Sequence, residues 1–121
     1  MKALFDTNII IDYLNGIEAA KHELSLYESM SISSITWMEV LIGAASGEEA
    51  IKLRAFMSRF TVLSVDMDVS EKAVELRRQY RMRLPDAIIW ATAVCDSSLL
   101  VTRNTRDFPA DHPGVREPYH L

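Results

Sequence analysis

Residues 2–14, KALFDTNIIIDYL, decide the fold, because a short apolar run ends at Asp6 and a second apolar run follows Thr7 and Asn8. The first run has the length and composition of a buried strand, and the second has the spacing of a helix that Gly16 ends. Asp, Thr and Asn are favoured helix N-caps, so these polar residues are explained by the start of the helix alone. A second role for Asp6 requires other acids at equivalent places in the fold.

The alternation of strand and helix continues along the chain. Further strands are predicted at residues 31–35, 61–65, 98–102 and 114–118, and helices at residues 17–29, 36–45, 47–60, 68–82 and 85–96. We expect residues 61–65 to be buried, and also the last helix, which is apolar nearly all round. Short strands alternating with helices predict an α/β fold with a parallel sheet of four to five strands covered on both faces. No repeat or linker divides the chain, so residues 1–121 are predicted to form one domain.

The composition is that of an ordinary globular protein, with 49% hydrophobic residues, 25% charged residues and a net charge of −4 over 121 residues. An acidic chain is unlike a general nucleic-acid coat protein, but a metal-dependent nuclease also concentrates carboxylates that its cations neutralise. We expect no signal peptide and no membrane helix, because Asp6 interrupts the first apolar segment and no apolar stretch approaches about 20 residues. The single Cys95 is predicted to be a core residue in a reducing, cytoplasmic protein. The three scattered histidines do not suggest zinc.

Four acids fall at strand ends or in the first turn of a following helix, namely Asp6, Glu39, Asp86 and Asp107. Sites in open parallel sheets form at the carboxyl ends of the strands. Each acid also has a separate structural explanation. Thr36 and Glu39 have the spacing of a helix capping box, Asp86 is a first-turn acid after a proline, and Asp107 lies in a polar turn. A further pair, Asp66 and Asp68, is predicted to cap a helix.

The separate explanations do not account for four carboxylates at one edge of a sheet. Their mutual repulsion and burial would be costly without a partner, and no lysine is close to any of them in sequence. A divalent cation is the simplest partner, and a set of oxygen ligands favours Mg²⁺ or Mn²⁺. A metal-activated water could then cleave a phosphodiester without a histidine. The number of ions, one or two, stays open at this point.

Four segments resemble the PIN-domain ribonucleases, and in particular the VapC-type toxins of toxin–antitoxin pairs. They are LFDTNIIIDYL, SSITWMEVLIG, LPDAIIWATA and LLVTRNTRDF, and they occur in the order and at the spacing typical of that family along nearly the whole chain. The resemblance implies a three-layer α/β/α sandwich with a central parallel sheet. It also implies a Mg²⁺-dependent endoribonuclease that serves as the toxin of a type II module, a small VapB-like antitoxin as its inhibitor, and a homodimer or a higher-order complex with the antitoxin.

The resemblance also assigns site residues. Asp6, Glu39 and Asp86 match the family's three main acidic positions, and Asp107 matches the acid of its T-R-N-x-x-D-F segment. Polar positions that line or support the same pocket are matched by Thr7, Asn8, Thr102 and Asn104. Trp90 departs from the family pattern, in which a small residue is commoner, and this departure bears on the packing of its helix.

Candidate RNA-binding cations flank the acids. Arg103 and Arg106 lie on either side of Asn104, and a basic run that includes Arg77, Arg78, Arg81 and Arg83 leads to Asp86. These arginines can contact RNA phosphates, form a solvated surface, or bind the antitoxin.

The sequence leaves two alternatives to a ribonuclease, a binding module and a signalling domain. A catalytically silent PIN-like binding module would not need the intact acid set. A receiver-like signalling domain would need paired acids after the first strand, whereas this strand ends in Asp-Thr-Asn.

Overall fold

A computed structural model describes the whole chain, Met1–Leu121, and contains one sheet of five parallel strands in the order β3-β2-β1-β4-β5. The strands are β1 (Lys2–Phe5), β2 (Ser29–Ser33), β3 (Thr61–Leu63), β4 (Leu99–Val101) and β5 (Val115–Arg116). The helices are α1 (Thr7–Leu14), α2 (Glu18–Ser25), α3 (Ser34–Ile42), α4 (Gly47–Met57), α5 (Met67–Tyr80) and α6 (Leu84–Cys95). The predicted parallel α/β sheet is confirmed.

Side chains of the central strand β1 alternate between two apolar cores. Leu4 packs with residues of α5 and α6 on one face of the sheet. Ala3 and Phe5 point to the other face and pack with residues of α1, α2 and α4. All three side chains are fully buried, as the two-residue period of a strand requires when both faces are covered. The chain is therefore a three-layer α/β/α sandwich.

The topology brings three of the predicted acidic segments to one edge of the sheet. Phe5 pairs with Val101, so the residues that follow β1 and β4 lie side by side, and the Asp6 amide donates to the Val101 carbonyl at 2.9 Å. At the opposite edge, Lys2 Nζ donates to the carbonyl oxygen of Asp96, just beyond the end of α6, at 2.7 Å. Because α6 ends at the amino edge of the sheet, its first turn lies toward the carboxyl edge.

The alternative explanation of Thr36 and Glu39 as a helix capping box is wrong. Helix α3 begins two residues earlier, and Ser33 is its N-cap, with its hydroxyl accepting from the Ile35 amide at 3.1 Å. Strand β2 ends at Ser33 because its pairing with β3 ends there, and a serine at that point caps the helix at once. Thr36 is therefore a fully buried helical residue and Glu39 lies in the second turn of α3, while the predicted cap at Asp66 is confirmed by its bond from the Val69 amide.

Two burial predictions are also wrong. Cys95 is exposed, and it is the last residue of α6. Val62 is 43% exposed, because β3 is an edge strand with a neighbour on one side only. Val65, which is 37% exposed, lies beyond the end of that strand. The middle of α6 is buried as predicted, from Asp86 to Ala93 apart from the half-buried Ile88, whereas Leu84, Pro85 and Val94 toward its ends are exposed.

Trp90, which departs from the family pattern, is 1% exposed and is well packed in α6. Its ring lies 4.9 Å from the ring of Tyr80, 5.2 Å from that of His112 and 6.0 Å from that of Phe108, measured between centroids.

None of the helices combines the length and the apolar character that crossing a membrane would require.

Candidate functional site

Asp6 lies between β1 and α1 and serves as the N-cap of α1. Its Oδ1 accepts from the Thr7 amide at 2.8 Å. Its Oδ2 accepts from the Thr102 hydroxyl at 2.8 Å and from Asn8 Nδ2 at 3.3 Å. Of the three polar residues that could cap the helix by their sequence, Asp6 is the cap, so the candidate site residue and the N-cap are the same residue.

Burial raises the pKa of Asp6 to about 6, even though hydrogen bonds from Thr102 and the Thr7 amide lower it. The carboxylates of Asp86 and Glu39 raise the pKa further, and no neighbouring cation offsets them. Asp6 is only 5% exposed, so its ionised form lacks both water and an ion-pair partner. A cation bound next to this carboxylate would therefore stabilise its ionised form strongly.

Glu39 is joined to Asp6 through Thr7. The Thr7 hydroxyl donates to Glu39 Oε1 at 2.7 Å and lies 2.9 Å from the Thr36 hydroxyl, which can donate to it. The contact of Thr36 with Thr7 was not predicted, since the sequence around Thr36 suggests a helix cap. The relevant sequence feature is its spacing, since Thr36 and Glu39 are three residues apart on one helix and share a face.

Asp86 lies in the first turn of α6 and is 8% exposed. Burial raises its pKa, Arg83 lowers it, and the carboxylates of Asp107 and Glu39 raise it again. Arg83 Nε is 3.3 Å from Asp86 Oδ2, and the Arg83 side chain is 78% exposed. No lysine lies close to Asp86 in sequence, but Arg83 is a counter-ion for it, through one long and solvent-exposed contact.

The segment after β4 carries the remaining predicted residues. Thr102 is fully buried, and its Oγ1 accepts from the Asn104 amide at 3.0 Å and lies 3.4 Å from Asn8 Nδ2. Asn104 Nδ2 donates to Asp107 Oδ2 at 2.9 Å. These bonds place Asp107 toward Asp86, whose pKa it raises.

The structure brings all four predicted acids into one electrostatic neighbourhood, but not into a metal-coordination geometry. No group of three or more Asp, Glu, His or Cys side chains is arranged to hold an ion. Each outer acid is instead bonded to a neighbour, Glu39 to Thr7, Asp86 to Arg83 and Asp107 to Asn104. The donor set fits Mg²⁺ or Mn²⁺ chemically, because it offers only oxygen ligands around the buried Asp6. To coordinate one ion together with Asp6, the side chains of Glu39, Asp86 and Asp107 would have to turn toward Asp6.

The predicted RNA-binding arginines differ in their surroundings. Arg106 is exposed and lines a polar cleft with Asn8, Asn104 and Arg103. The Arg103 guanidinium, however, is bonded to Asp12 at 2.6 and 3.0 Å, so it does not point freely into that cleft. Arg81 is exposed at the end of α5 in a left-handed conformation, with φ at 55°.

Two comparisons with known proteins identify relatives of the chain. A family model described as PIN domain matches residues 3–110. A chain of a toxin–antitoxin complex from Klebsiella pneumoniae is 45% identical, with a TM-score of 0.93 over 99% of this chain and 100% of that one. Among curated proteins no match was found.

More distant solved structures have the same fold. A chain of DNA-bound VapBC from Salmonella typhimurium is 29% identical, with a TM-score of 0.78 over 96% of each chain. A chain of FitAcB from Neisseria gonorrhoeae is 27% identical, with a TM-score of 0.79 over 98% of this chain and 99% of that one. The match of the family model over most of the chain, together with the parallel sheet and the acids at its carboxyl edge, shows that this chain belongs to the PIN domain family.

Proposed function

We propose that the chain is a Mg²⁺-dependent endoribonuclease, the toxin of a type II toxin–antitoxin module acting in the cytoplasm. The observation that carries this proposal is the buried Asp6 carboxylate, which has two other carboxylates near it and no cation. Membership of the PIN domain family and the likeness to chains of toxin–antitoxin complexes support it. By the same likeness, the proposed partners are a small VapB-like antitoxin and a second copy of the chain.

The carboxylates would hold the ion, with Asp6 and Asp86 as the main ligands and Glu39 and Asp107 completing the set directly or through water. When bound there, Mg²⁺, or Mn²⁺ in its place, would supply a water of lowered pKa as nucleophile and positive charge for the scissile phosphate. Cleavage by water would leave a 5′-phosphate and a 3′-hydroxyl.

The chain's other residues would prepare this site. Thr102 and the Thr7 amide hold the two oxygens of Asp6 in a fixed orientation, and Thr7 also holds Glu39. The exposed Arg106 would bind a phosphate of the RNA beside the cleavage point, since it lines the polar cleft next to Asn104. Arg83 would leave Asp86 when the ion binds, and its guanidinium would then be free to contact the substrate.

The proposal is tested with the purified protein, structured and unstructured RNAs, and Mg²⁺ or chelator. We expect cleavage only with the ion, and its loss in Asp6→Asn. Asp68→Asn is a matched control, because Asp68 is an exposed acid that lies near Cys95, at the far end of α6 from Asp86. Cleavage that survives chelation, or equal cleavage by Asp6→Asn, would contradict the proposal.

The toxin role has its own test in cells. Expression of the chain alone should arrest growth, and Asp6→Asn should relieve the arrest while Asp68→Asn should not. Wild-type protein that binds RNA, cleaves none and leaves growth unchanged would instead show a catalytically silent binding module.

A further inference from the structure

A second buried polar cluster adjoins the site and joins three distant parts of the chain. Asp12, on the inner face of α1, is 4% exposed. Its carboxylate accepts from Arg103 Nε at 2.6 Å and from a terminal nitrogen of the same guanidinium at 3.0 Å. The Tyr119 hydroxyl, near the end of the chain, donates to Asp12 Oδ2 at 2.8 Å. We call these three residues the Asp12 cluster.

The Asp12 cluster is connected to the site through Arg103. Arg103 lies between Thr102, which bonds to Asp6, and Asn104, which bonds to Asp107. Its own amide approaches Asn8 Oδ1 at 3.4 Å. The segment from Thr102 to Asp107 belongs to no helix or strand. Backbone bonds hold its two ends, from the Thr102 amide to Arg116 and from the Phe108 amide to Asn104, and side-chain contacts such as these hold the residues between them.

The geometry of the cluster favours an orienting role. A bidentate arginine–carboxylate pair fixes direction as well as distance, because both groups are planar. Stability alone does not require such a pair, since apolar residues of similar volume often replace a buried ion pair at no cost. The tyrosine restrains the carboxylate further, so the guanidinium has one preferred position.

We propose that Asp12 is a positioning residue of the site: with Tyr119 it holds Arg103, and through Arg103 it sets Thr102 and Asn104 against Asp6 and Asp107. This inference rests on the proposed function for its meaning in catalysis. It also makes Arg103 a structural anchor, in contrast to the free RNA-binding cation that the sequence suggested.

The chain contains a matched control with the same chemistry. Glu23 in α2 is 2% exposed and accepts from Arg116 at 2.7 and 2.9 Å and from the Tyr27 hydroxyl at 2.7 Å. This second cluster ties α2 to the edge strand β5 and has no side-chain contact with the four acids. Breaking either carboxylate–arginine pair removes the same set of bonds, but only the Arg103 side chain belongs to the segment with Thr102 and Asn104. Arg116 meets that segment through its backbone carbonyl, which accepts from the Thr102 amide at 3.0 Å as part of the sheet edge and does not need the Arg116 side chain.

The experiment compares Asp12→Asn, Tyr119→Phe and Glu23→Gln with the wild type. The readouts are Mn²⁺ affinity by calorimetry, hydrogen exchange of the amides of residues 103–107 in metal-free protein, and kcat and KM for RNA cleavage. For Asp12→Asn we expect Mn²⁺ binding weaker by about 10- to 100-fold, faster exchange in that segment, and a lower kcat at an unchanged KM. Tyr119→Phe, which keeps the ion pair and should fold normally, should show the same changes at a smaller size. Glu23→Gln should lower the melting temperature and leave Mn²⁺ affinity, exchange of residues 103–107 and kcat as in the wild type.

Two results would overturn the inference. One is equal effects of Asp12→Asn and Glu23→Gln on Mn²⁺ affinity and exchange, which would reduce the cluster to general stability. The other is a raised KM in Arg103→Gln while Asp12→Asn matches the wild type, which would make Arg103 an RNA-binding residue. Failure of the proposed function is a separate result, because a wild type that binds Mn²⁺ but cleaves no RNA still allows the affinity and exchange comparison.

Discussion

Replacing Thr102 with valine should disable the site while preserving the shape of its core. Thr102 is fully buried, and valine keeps its volume while removing the hydroxyl. That hydroxyl donates to Asp6 Oδ2 at 2.8 Å and accepts from the Asn104 amide at 3.0 Å. The substitution therefore deprives Asp6 of a 2.8 Å hydrogen bond and leaves the partly buried Asn104 amide without its acceptor.

The magnitude follows from these two losses. A hydrogen bond to a charged group contributes about 1.5–3 kcal/mol, and an unpaired, partly buried amide costs up to about 1 kcal/mol, so the free energy of unfolding should fall by about 2–4 kcal/mol. For a domain of this size, each kcal/mol corresponds to about 4 °C, which predicts a Tm lower by about 8–16 °C. The pKa of Asp6 should also rise further above its value of about 6, because the Thr102 hydrogen bond lowers it. Mn²⁺ affinity should then fall by about 10- to 100-fold.

The assay is scanning calorimetry in chelator, which removes any stabilisation by bound ion, followed by Mn²⁺ titration of the folded protein. Thr102→Ser is the matched control, because it keeps the hydroxyl and loses only a methyl group, at a cost of about 1 kcal/mol or about 4 °C. The reasoning would be refuted if the serine and valine variants lost equal stability and affinity, since the methyl group and not the hydroxyl would then matter.

Three further predictions concern other parts of the structure. Arg83→Gln should tighten Mn²⁺ binding severalfold in calorimetry, because Arg83 is a cation beside Asp86 and competes with the ion for the same oxygen; weaker binding would contradict this view. Glu23→Gln should flatten the acid limb of a stability–pH curve followed by circular dichroism. The folded pKa of Glu23 lies below its ordinary 4.5, despite the opposing effect of burial, because Arg116 and Tyr27 bond to its carboxylate. The contribution of Glu23 to the free energy of unfolding is therefore complete above pH 4.5 and is lost as the pH falls through the folded pKa. If the acid limb of the curve is the same in Glu23→Gln and the wild type, Glu23 makes no such contribution. Trp90→Ala should cost about 3–5 kcal/mol in urea unfolding, since it empties a fully buried site between α5 and α6, and a loss below 1 kcal/mol would show that the rings around it can collapse.

Local patterns carried most of the fold prediction. The change from an apolar run to Asp-Thr-Asn marked the passage from β1 to α1, and similar changes marked the other strands. A parallel sheet places all strand ends of one kind at one edge, so the acids after β1 and β4 could be expected to meet there. The first turn of α6 joined them, because this helix returns to the amino edge before β4 begins.

The errors arose where burial depends on neighbours that are distant in sequence. Val62 is as apolar as the residues of β1, but its strand lies at the sheet edge and is partly exposed. Cys95 belongs to an apolar helix, but it is the last residue of that helix and its side chain is exposed. Thr36 has the spacing of a capping residue, but pairing between β2 and β3 ended the strand earlier and moved the helix start to Ser34.

The sequence by itself determined the element order, the parallel α/β fold and the positions of the four acids after strands or near helix starts, because each depends on residues within one strand or helix. Only the tertiary structure decided the partners of those acids and of Arg103. Asp6 is next to Thr102 because β1 and β4 are neighbours in the sheet, and Asp12 holds Arg103 because α1 packs beside the segment after β4. Such contacts join residues about 90 positions apart, and no local pattern encodes which side chains the packing of the sheet will bring together.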